Sequence, residues 1–85
     1  MTYALSINAK KQLQKLPRGI QKKFTKQLRF LLQDPKYPSL QAKKKSGSED
    51  FEARIDYHYR FTYVILGSEI NIITIGPHDD GLGKK

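Results

Sequence analysis

Hydrophobic and polar residues alternate near the start of the chain. Tyr3, Leu5 and Ile7 are each separated by a single residue. This is the period of a strand that buries one of its faces. A short strand is therefore expected over residues 2–7.

Two segments with helical spacing follow, separated by a break at residues 17–19. The first covers residues 9–16, and Asn8 is a suitable cap for it. The second is longer and is expected to end near Gln33, because Pro35 disfavours helical geometry at the residue before it. The two helices should form a hairpin that buries its apolar side against a sheet. The apolar stripe of the second helix consists of Ile20, Phe24, Leu28, Leu31 and Leu32.

Residues 34–50 show no clear periodicity and contain two prolines and a glycine, so they are expected to form a long surface loop. Three consecutive lysines, Lys43, Lys44 and Lys45, lie in it. Such a run is typical of a solvated loop, but beside a phosphate-binding face it becomes a nucleic-acid contact. The pattern alone leaves both interpretations open.

Three strands in succession are expected over residues 51–55, 58–65 and 69–76. The third is apolar on both sides, which is typical of a central strand. The aromatic side of the second strand is expected to face the helices. Together these elements predict one α+β domain over residues 1–85 with the order βααβββ. Its sheet is expected to have four strands, to be rich in antiparallel pairs and to pack on the N-terminal helical hairpin.

The charge of the chain is positive and uneven. Sixteen Lys and Arg residues stand against eight Asp and Glu, for a net charge of +8. Residues 1–48 carry twelve of the basic residues and one acid, whereas residues 49–85 have more acids than bases. Such a surface attracts polyanions, with nucleic acid the usual partner, although a merely solvated basic face is the alternative. Membrane binding is not expected, because the basic helices lack a bulky exposed apolar face.

The absence of cysteine excludes a disulfide framework and a thiolate zinc site, and it fits a reducing cytosol. No run of residues is long and apolar enough to span a membrane, and the first residues do not have the pattern of a signal peptide. A cytoplasmic protein is therefore expected.

The alternation of the strands leaves Arg54, His58 and Arg60 on an open sheet face, with His78 just past the last strand. Cleavage of RNA through its own 2′-hydroxyl needs a base for that hydroxyl, a proton donor for the leaving oxygen, and positively charged groups beside the phosphorane. Imidazole serves either proton role near neutral pH, and guanidinium holds phosphate oxygens. This chemistry requires no metal or other cofactor.

Each of these residues also has a simpler interpretation. His58 lies in a predicted turn, where a surface histidine without a role is common, and Arg60 can pair with Glu52 or Asp56 across the hairpin. Tyr57 in the same turn is free to stack on a base.

Two segments resemble the RelE/ParE family of toxins from bacterial toxin–antitoxin modules. Residues 53–63, ARIDYHYRFTY, resemble the family's R-(I/L)-x-x-x-Y-R-hydrophobic-x-Y segment, and residues 72–78, IITIGPH, resemble its I-x-x-(I/V)-G-x-(H/R) ending. The predicted order of elements is also that of the family. In one departure, Leu82 stands where many nuclease members have Tyr or Phe.

The resemblance implies a cytoplasmic, metal-independent endoribonuclease that cuts mRNA on the ribosome and is inhibited by an antitoxin protein. The toxin alone is not expected to bind DNA. By position, Arg60 matches the family's phosphate-contacting arginine and Arg54 lies near its basic positions. His78 is the first choice for base or acid, and His58 is the second. The residues expected on RNA are Lys22, Lys26, Lys43, Lys44, Lys45 and Tyr57.

Two other functions remain open. ParE-like members block DNA gyrase and need no proton-transfer residues. The chain can also be a non-enzymatic RNA- or protein-binding module, including a toxin that has lost its activity.

Overall fold

The structure is a computed structural model, and it describes residues 1–45 and 47–77. Along the chain come strand β1 (Thr2–Leu5), helices α1 (Ile7–Gln14) and α2 (Arg18–Gln33), a 3-10 turn (Pro38–Leu40), and strands β2 (Lys43–Lys44), β3 (Phe51–Arg54), β4 (Tyr59–Leu66) and β5 (Glu69–Pro77). The strands form one sheet in the order β1-β5-β4-β3-β2. β1 runs parallel to β5, and the other neighbouring strands are antiparallel. The predicted α+β class is confirmed.

The first strand is shorter than predicted, and the helix after it begins earlier. β1 ends at Leu5, and Ile7 is the first residue of α1 with 75% of its surface exposed, so it is not part of a buried strand face. The cap is Ser6 and not Asn8, because the Ser6 hydroxyl accepts the Ala9 N–H at 2.9 Å. A serine at this position satisfies an amide that the first helical turn leaves without a partner.

Ser6 also joins α1 to the sheet. Its hydroxyl donates to the carbonyl oxygen of Ile73 at 2.8 Å, and its backbone N–H donates to that of Ile72 at 2.9 Å. Further along α1, the side-chain oxygen of Gln12 accepts the Ile75 N–H at 2.8 Å. Since β1 pairs with β5 only as far as Ile72, these side chains provide partners for β5 backbone groups beyond the end of β1.

Helix α2 ends at Gln33, as predicted, because the next residue, Asp34, is extended. Its apolar stripe packs on the sheet face formed by the aromatic side of β4. The ring of Phe24 meets that of Phe61 edge-on, with centroids 5.2 Å apart. The predicted orientation of β4 is therefore confirmed. The buried core consists of Ala9, Phe24, Leu28, Leu31, Leu40, Ala53, Ile55, Phe61, Tyr63, Ile70, Ile72 and Ile75.

The central position predicted for β5 is confirmed, but a bulge accounts for its apolar pattern. Thr62 pairs with Thr74 and Tyr63 pairs with Ile72, so Ile73 has no residue opposite it in β4. One extra residue reverses the alternation of side chains along a strand. Ile72 and Ile75, three residues apart, are consequently both buried in the same core.

The segment predicted to be a long loop is partly structured. Leu40, in the 3-10 turn, is fully buried. Lys43 and Lys44 form β2 and pair with Glu52 and Phe51 of β3, so the sheet has five strands and not the predicted four. A strand of two residues is too short to leave an alternating pattern in the sequence.

Gln27 is the buried polar residue that holds α2, the 3-10 turn and β3 together. Its side-chain amide donates to the carbonyl oxygens of Ser39 at 3.1 Å and Arg54 at 2.8 Å, and its oxygen accepts the Ser39 hydroxyl at 3.1 Å. Only 7% of its surface is exposed. Burial of an amide is tolerated when its hydrogen bonds are made, as they are here.

No helix among the described residues has the length and apolar character needed to cross a membrane.

We expect Gln27→Ala to lower the free energy of unfolding by about 2 to 3 kcal/mol, because it leaves the partners of the amide without their hydrogen bonds. Gln33→Ala, at the exposed end of the same helix, should change it by less than about 0.5 kcal/mol. Urea unfolding followed by circular dichroism measures both variants. Equal stability of the two would show that the Gln27 hydrogen bonds do not hold the layers together.

Candidate functional site

Two arginines face each other on the sheet side opposite the helices. Arg54 of β3 and Arg60 of β4 are directly paired, so their side chains leave the same face of the sheet. Ala53 and Phe61, the next pair, belong to the buried core on the other face. Two like charges directly opposite one another repel unless an anion lies between them. The pair is therefore suited to binding an anion such as phosphate.

The described residues leave space beside the arginines. Across β4 from Arg54, the partner of Arg60 in β5 is Gly76, which has no side chain. A Cβ atom placed on Gly76 would meet no atom of residues 1–45 or 47–77 within 4 Å. Arg54 and Arg60 thus lie in one row with Gly76, where no described residue fills the space above β5.

The two guanidinium groups differ in their contacts. The Nε of Arg54 is shielded from solvent and has no hydrogen-bond partner among residues 1–45 and 47–77. The Nη1 of Arg60 instead donates to backbone carbonyl oxygens of the β3–β4 turn: 2.6 Å to Asp56, 3.1 Å to Tyr59 and 3.2 Å to Tyr57. Arg60 is therefore held in place at one end, whereas no hydrogen bond within the described residues holds the shielded Nε of Arg54.

The alternative pairing of Arg60 with the carboxylate of Glu52 or Asp56 is not formed, since Arg60 binds the carbonyl of Asp56 instead. The Asp56 carboxylate accepts the backbone N–H groups of His58 at 2.9 Å and Tyr59 at 3.1 Å, and it pairs with Lys23 of α2 at 3.3 Å. Partial burial opposes ionisation of Asp56, but the hydrogen bonds and the lysine outweigh it and lower its pKa from the ordinary 3.8. The carboxylate is thus ionised at neutral pH.

His58 and Tyr57 both lie in the exposed part of this turn. Their rings meet edge-on with centroids 4.9 Å apart, and Tyr57 is 75% exposed. Both are accessible to a large ligand. His78 and Leu82, named from the sequence, lie outside the described residues.

The lysine cluster divides between two surfaces. Lys43 pairs with Glu52, which is on the same face as Arg54, so it lies on the arginine side of the sheet. Lys44 points the other way and forms an exposed pair with Glu49 at 3.6 Å, while Lys45 follows the end of β2. The cluster therefore contributes at least one cation to the open face.

The lysines of α2 lie on the helical side of the sheet. Lys22 is exposed to solvent there. Lys26 lies 6.0 Å from the centre of the Phe30 ring, and together with Lys23 it lines a pocket of about 500 Å³ between α2 and β3. Arg54 and Asp56 line the same pocket, so this second basic surface adjoins the candidate site at the edge of the sheet.

Asp56 and Lys23 are not among the site residues predicted from the sequence. An Asp at the start of a turn indicates that its carboxylate accepts the backbone N–H groups two or three residues ahead. No sequence pattern indicates the partner on α2, which is 33 residues away along the chain. Among the described residues, no group of three or more His, Cys, Asp or Glu side chains is placed to bind a metal ion.

No protein-family model matches the chain, and no curated protein matches it by sequence. Solved structures do match. A YoeB/ParE toxin from Agrobacterium tumefaciens superposes with a TM-score of 0.81 at 17% identity, over 93% of this chain and 100% of that one. A chain of the intact E. coli RelBE toxin–antitoxin complex has a TM-score of 0.75 at 17% identity, over 93% of this chain and 98% of that one. YafQ from E. coli strain BL21(DE3) has a TM-score of 0.74 at 11% identity, over 89% of this chain and 91% of that one.

These similarities are similarities of fold, which consists of a mixed sheet with two helices packed on one of its faces. The chain has the RelE/ParE toxin fold.

The lowered pKa of Asp56 predicts a stability that depends on pH. Its contribution is fully present above the unfolded-state pKa near 3.8, and it is lost as the pH falls through the lower folded-state value. Asp56→Asn removes the ionisation and the pairing with Lys23. The difference in unfolding free energy between wild type and this variant should therefore be constant from pH 5 to 7 and shrink below about pH 4.

Urea unfolding at a series of pH values measures this difference. If the difference stayed the same down to pH 2.5, or grew, the carboxylate would not be held in its ionised form by the turn and Lys23.

Proposed function

We propose that this protein is the toxin of a bacterial type II toxin–antitoxin module, and that it cleaves mRNA on the ribosome. The observation that carries the proposal is the facing pair Arg54 and Arg60 on the open sheet face of a chain with the RelE/ParE toxin fold.

The proposed reaction is attack of the RNA 2′-hydroxyl on the adjacent phosphate. The phosphorane that forms carries additional negative charge, and donors already in place stabilise it most. Arg54 supplies its guanidinium group, and Arg60 supplies the part of its guanidinium that the turn does not hold. Both arginines remain charged throughout the reaction, so they act as phosphate ligands and not as proton carriers.

Proton transfer is assigned to the histidines. His78 follows Pro77 in the sequence, two residues after Gly76, which pairs with Arg60, and it is the first choice for general acid or base. His58 lies in the exposed turn next to the Asp56 carbonyl that binds Arg60, and it is the second. Imidazole serves both roles near neutral pH.

The remaining basic residues are assigned to the substrate assembly and the partner. Lys43, Lys44, Lys45, Lys22 and Lys26 are proposed to contact RNA phosphates on the ribosome, and Tyr57 is proposed to stack on a base. Toxin–antitoxin complexes are among the similar structures, including RelBE from E. coli and YoeB–YefM from Staphylococcus aureus. We accordingly propose an antitoxin partner, with an acidic segment that complements the basic surface.

We expect Arg54→Ala and Arg60→Ala each to lower the rate of ribosome-dependent mRNA cleavage by about 10²-fold or more, the usual cost of removing one donor to a transition-state oxyanion. Arg18→Ala is the matched control, because Arg18 is an exposed arginine on the helical side of the sheet. Primer extension on a defined message with purified ribosomes measures the rates. His78→Ala should lower the cleavage rate by about 10² to 10⁴-fold, and His58→Ala should lower it by less.

Two results would contradict the proposal. Wild-type cleavage that both arginine variants retain at full rate would remove these residues from the site. No cleavage by wild type, together with inhibition of gyrase supercoiling by the pure protein, would assign the chain to the ParE type of activity.

A further inference from the structure

The β3–β4 turn is organised around one carboxylate. Asp56 Oδ1 accepts two backbone N–H groups, from His58 and Tyr59, and Asp56 Oδ2 accepts the ammonium group of Lys23. An aspartate that binds the amides two and three residues ahead fixes the backbone between them. The side chain of Asp56 is 20% exposed, so water competes with these contacts only in part.

The turn fixed in this way directs three carbonyl oxygens at one atom. Those of Asp56, Tyr57 and Tyr59 all lie within 3.2 Å of Arg60 Nη1. Nη1 carries only two hydrogens, so the three oxygens share them and surround the nitrogen. The backbone of Tyr59 also closes the turn, because its carbonyl accepts the Ile55 N–H at 2.9 Å.

This contact sets the direction of the whole guanidinium group. The group is planar and rigid, so holding Nη1 at the turn while Nε is attached to the side chain restricts the direction of the edge formed by Nε and Nη2. No hydrogen bond within the described residues involves that edge in Arg60, and it lies on the same sheet face as Arg54. A free arginine side chain would lose rotamer entropy on binding phosphate, whereas this one has already lost much of it.

We propose that Asp56 is a positioning residue for Arg60, and that Lys23 supports it from α2. The carboxylate acts through the turn: it orders the carbonyls, and the carbonyls hold the guanidinium ready for a phosphate oxygen. The effect of Asp56 on mRNA cleavage rests on the proposed function, whereas its effect on anion binding does not. It also gives the helical layer a direct link to the opposite face of the sheet.

Electrostatics and positioning predict opposite effects when Asp56 is replaced. Removing a negative charge near the two arginines should tighten binding of an anion by simple Coulomb attraction. Loss of positioning should weaken it. Asp56→Ala loses both the charge and the acceptor, whereas Asp56→Asn loses the charge but keeps an oxygen for the His58 and Tyr59 amides. Asp56→Asn therefore keeps the hydrogen bonds that order the turn, without the negative charge.

The test uses the full chain, with inorganic phosphate as the probe and the side-chain Nε–Hε signals of Arg54 and Arg60 followed by ¹⁵N NMR. We expect Asp56→Ala to weaken phosphate binding by about tenfold, in line with the sensitivity of such sites to misplacement. Asp56→Asn should bind within about threefold of wild type. Amide spectra and urea unfolding establish that each variant is folded.

Lys23→Met decides the question if Asp56→Ala does not fold. It should weaken phosphate binding by about threefold more than Lys36→Met, which removes the same charge from an exposed residue of the loop after α2. Binding by Asp56→Ala that equals or exceeds wild type would overturn the inference. So would equal binding by the two lysine variants when Asp56→Ala cannot be measured.

A cleavage assay separates this inference from the proposed function. If wild type cleaves, Asp56→Ala should lower kcat more than Asp56→Asn does. If wild type binds phosphate with the expected order of variants but does not cleave mRNA, the positioning role stands and the proposed function fails. If wild type cleaves and all variants cleave and bind alike, the positioning role fails and the proposed function stands.

Discussion

The pairing of β4 with β5 is the constraint on which the rest of the structure depends. β5 is a nine-residue strand between β1 and β4, and its isoleucines supply one wall of the core. A strand with strict alternation would turn either Ile72 or Ile75 away from that core. The bulge at Ile73 keeps both on the buried side, and the carbonyl of Ile73 is bound by Ser6 at the start of α1. The position of the first helix is thereby tied to the irregularity in the central strand.

This arrangement gives the two faces of the sheet different side chains. One face is covered by the helices and holds the apolar side chains, so it contributes stability. The other face keeps Arg54 and Arg60 opposite each other, and among the described residues no side chain covers β5 next to them at Gly76. Asp56 lies where the faces meet, since its carboxylate binds Lys23 of the helical layer while its carbonyl binds Arg60.

The faces of β4 were predictable because side chains alternate regularly along that strand, whereas the bulge lies in β5. The bulge itself was not, since Ile72 and Ile73 are both apolar and the period offers no reason to place the extra residue between them. Strand β2 was missed for a different reason: two lysines on a sheet edge have the composition of a loop. The cap was assigned to Asn8 because the strand was extended by two residues to include Ile7.

The candidate site was predicted in part. Alternation placed both arginines on the open face, but the register that makes them direct partners depends on the length and shape of the turn. The anchoring of Arg60 by three carbonyls is a property of backbone geometry, which the sequence does not display. The pairing of Lys23 with Asp56 joins residues distant in the chain, and a single sequence carries no signal for it.

The chemical nature of the RNA ends tests the central claim most directly. Attack by the 2′-hydroxyl expels the 5′-oxygen, so the upstream fragment must end in a 2′,3′-cyclic phosphate or its opened phosphate, and the downstream fragment must begin with a 5′-hydroxyl. We expect these ends when ribosome-bound mRNA is cut by the wild-type protein, and we expect none when Arg60 is replaced by alanine. Fragments with a 5′-phosphate and a 3′-hydroxyl would contradict the account, because they require water to attack the phosphate.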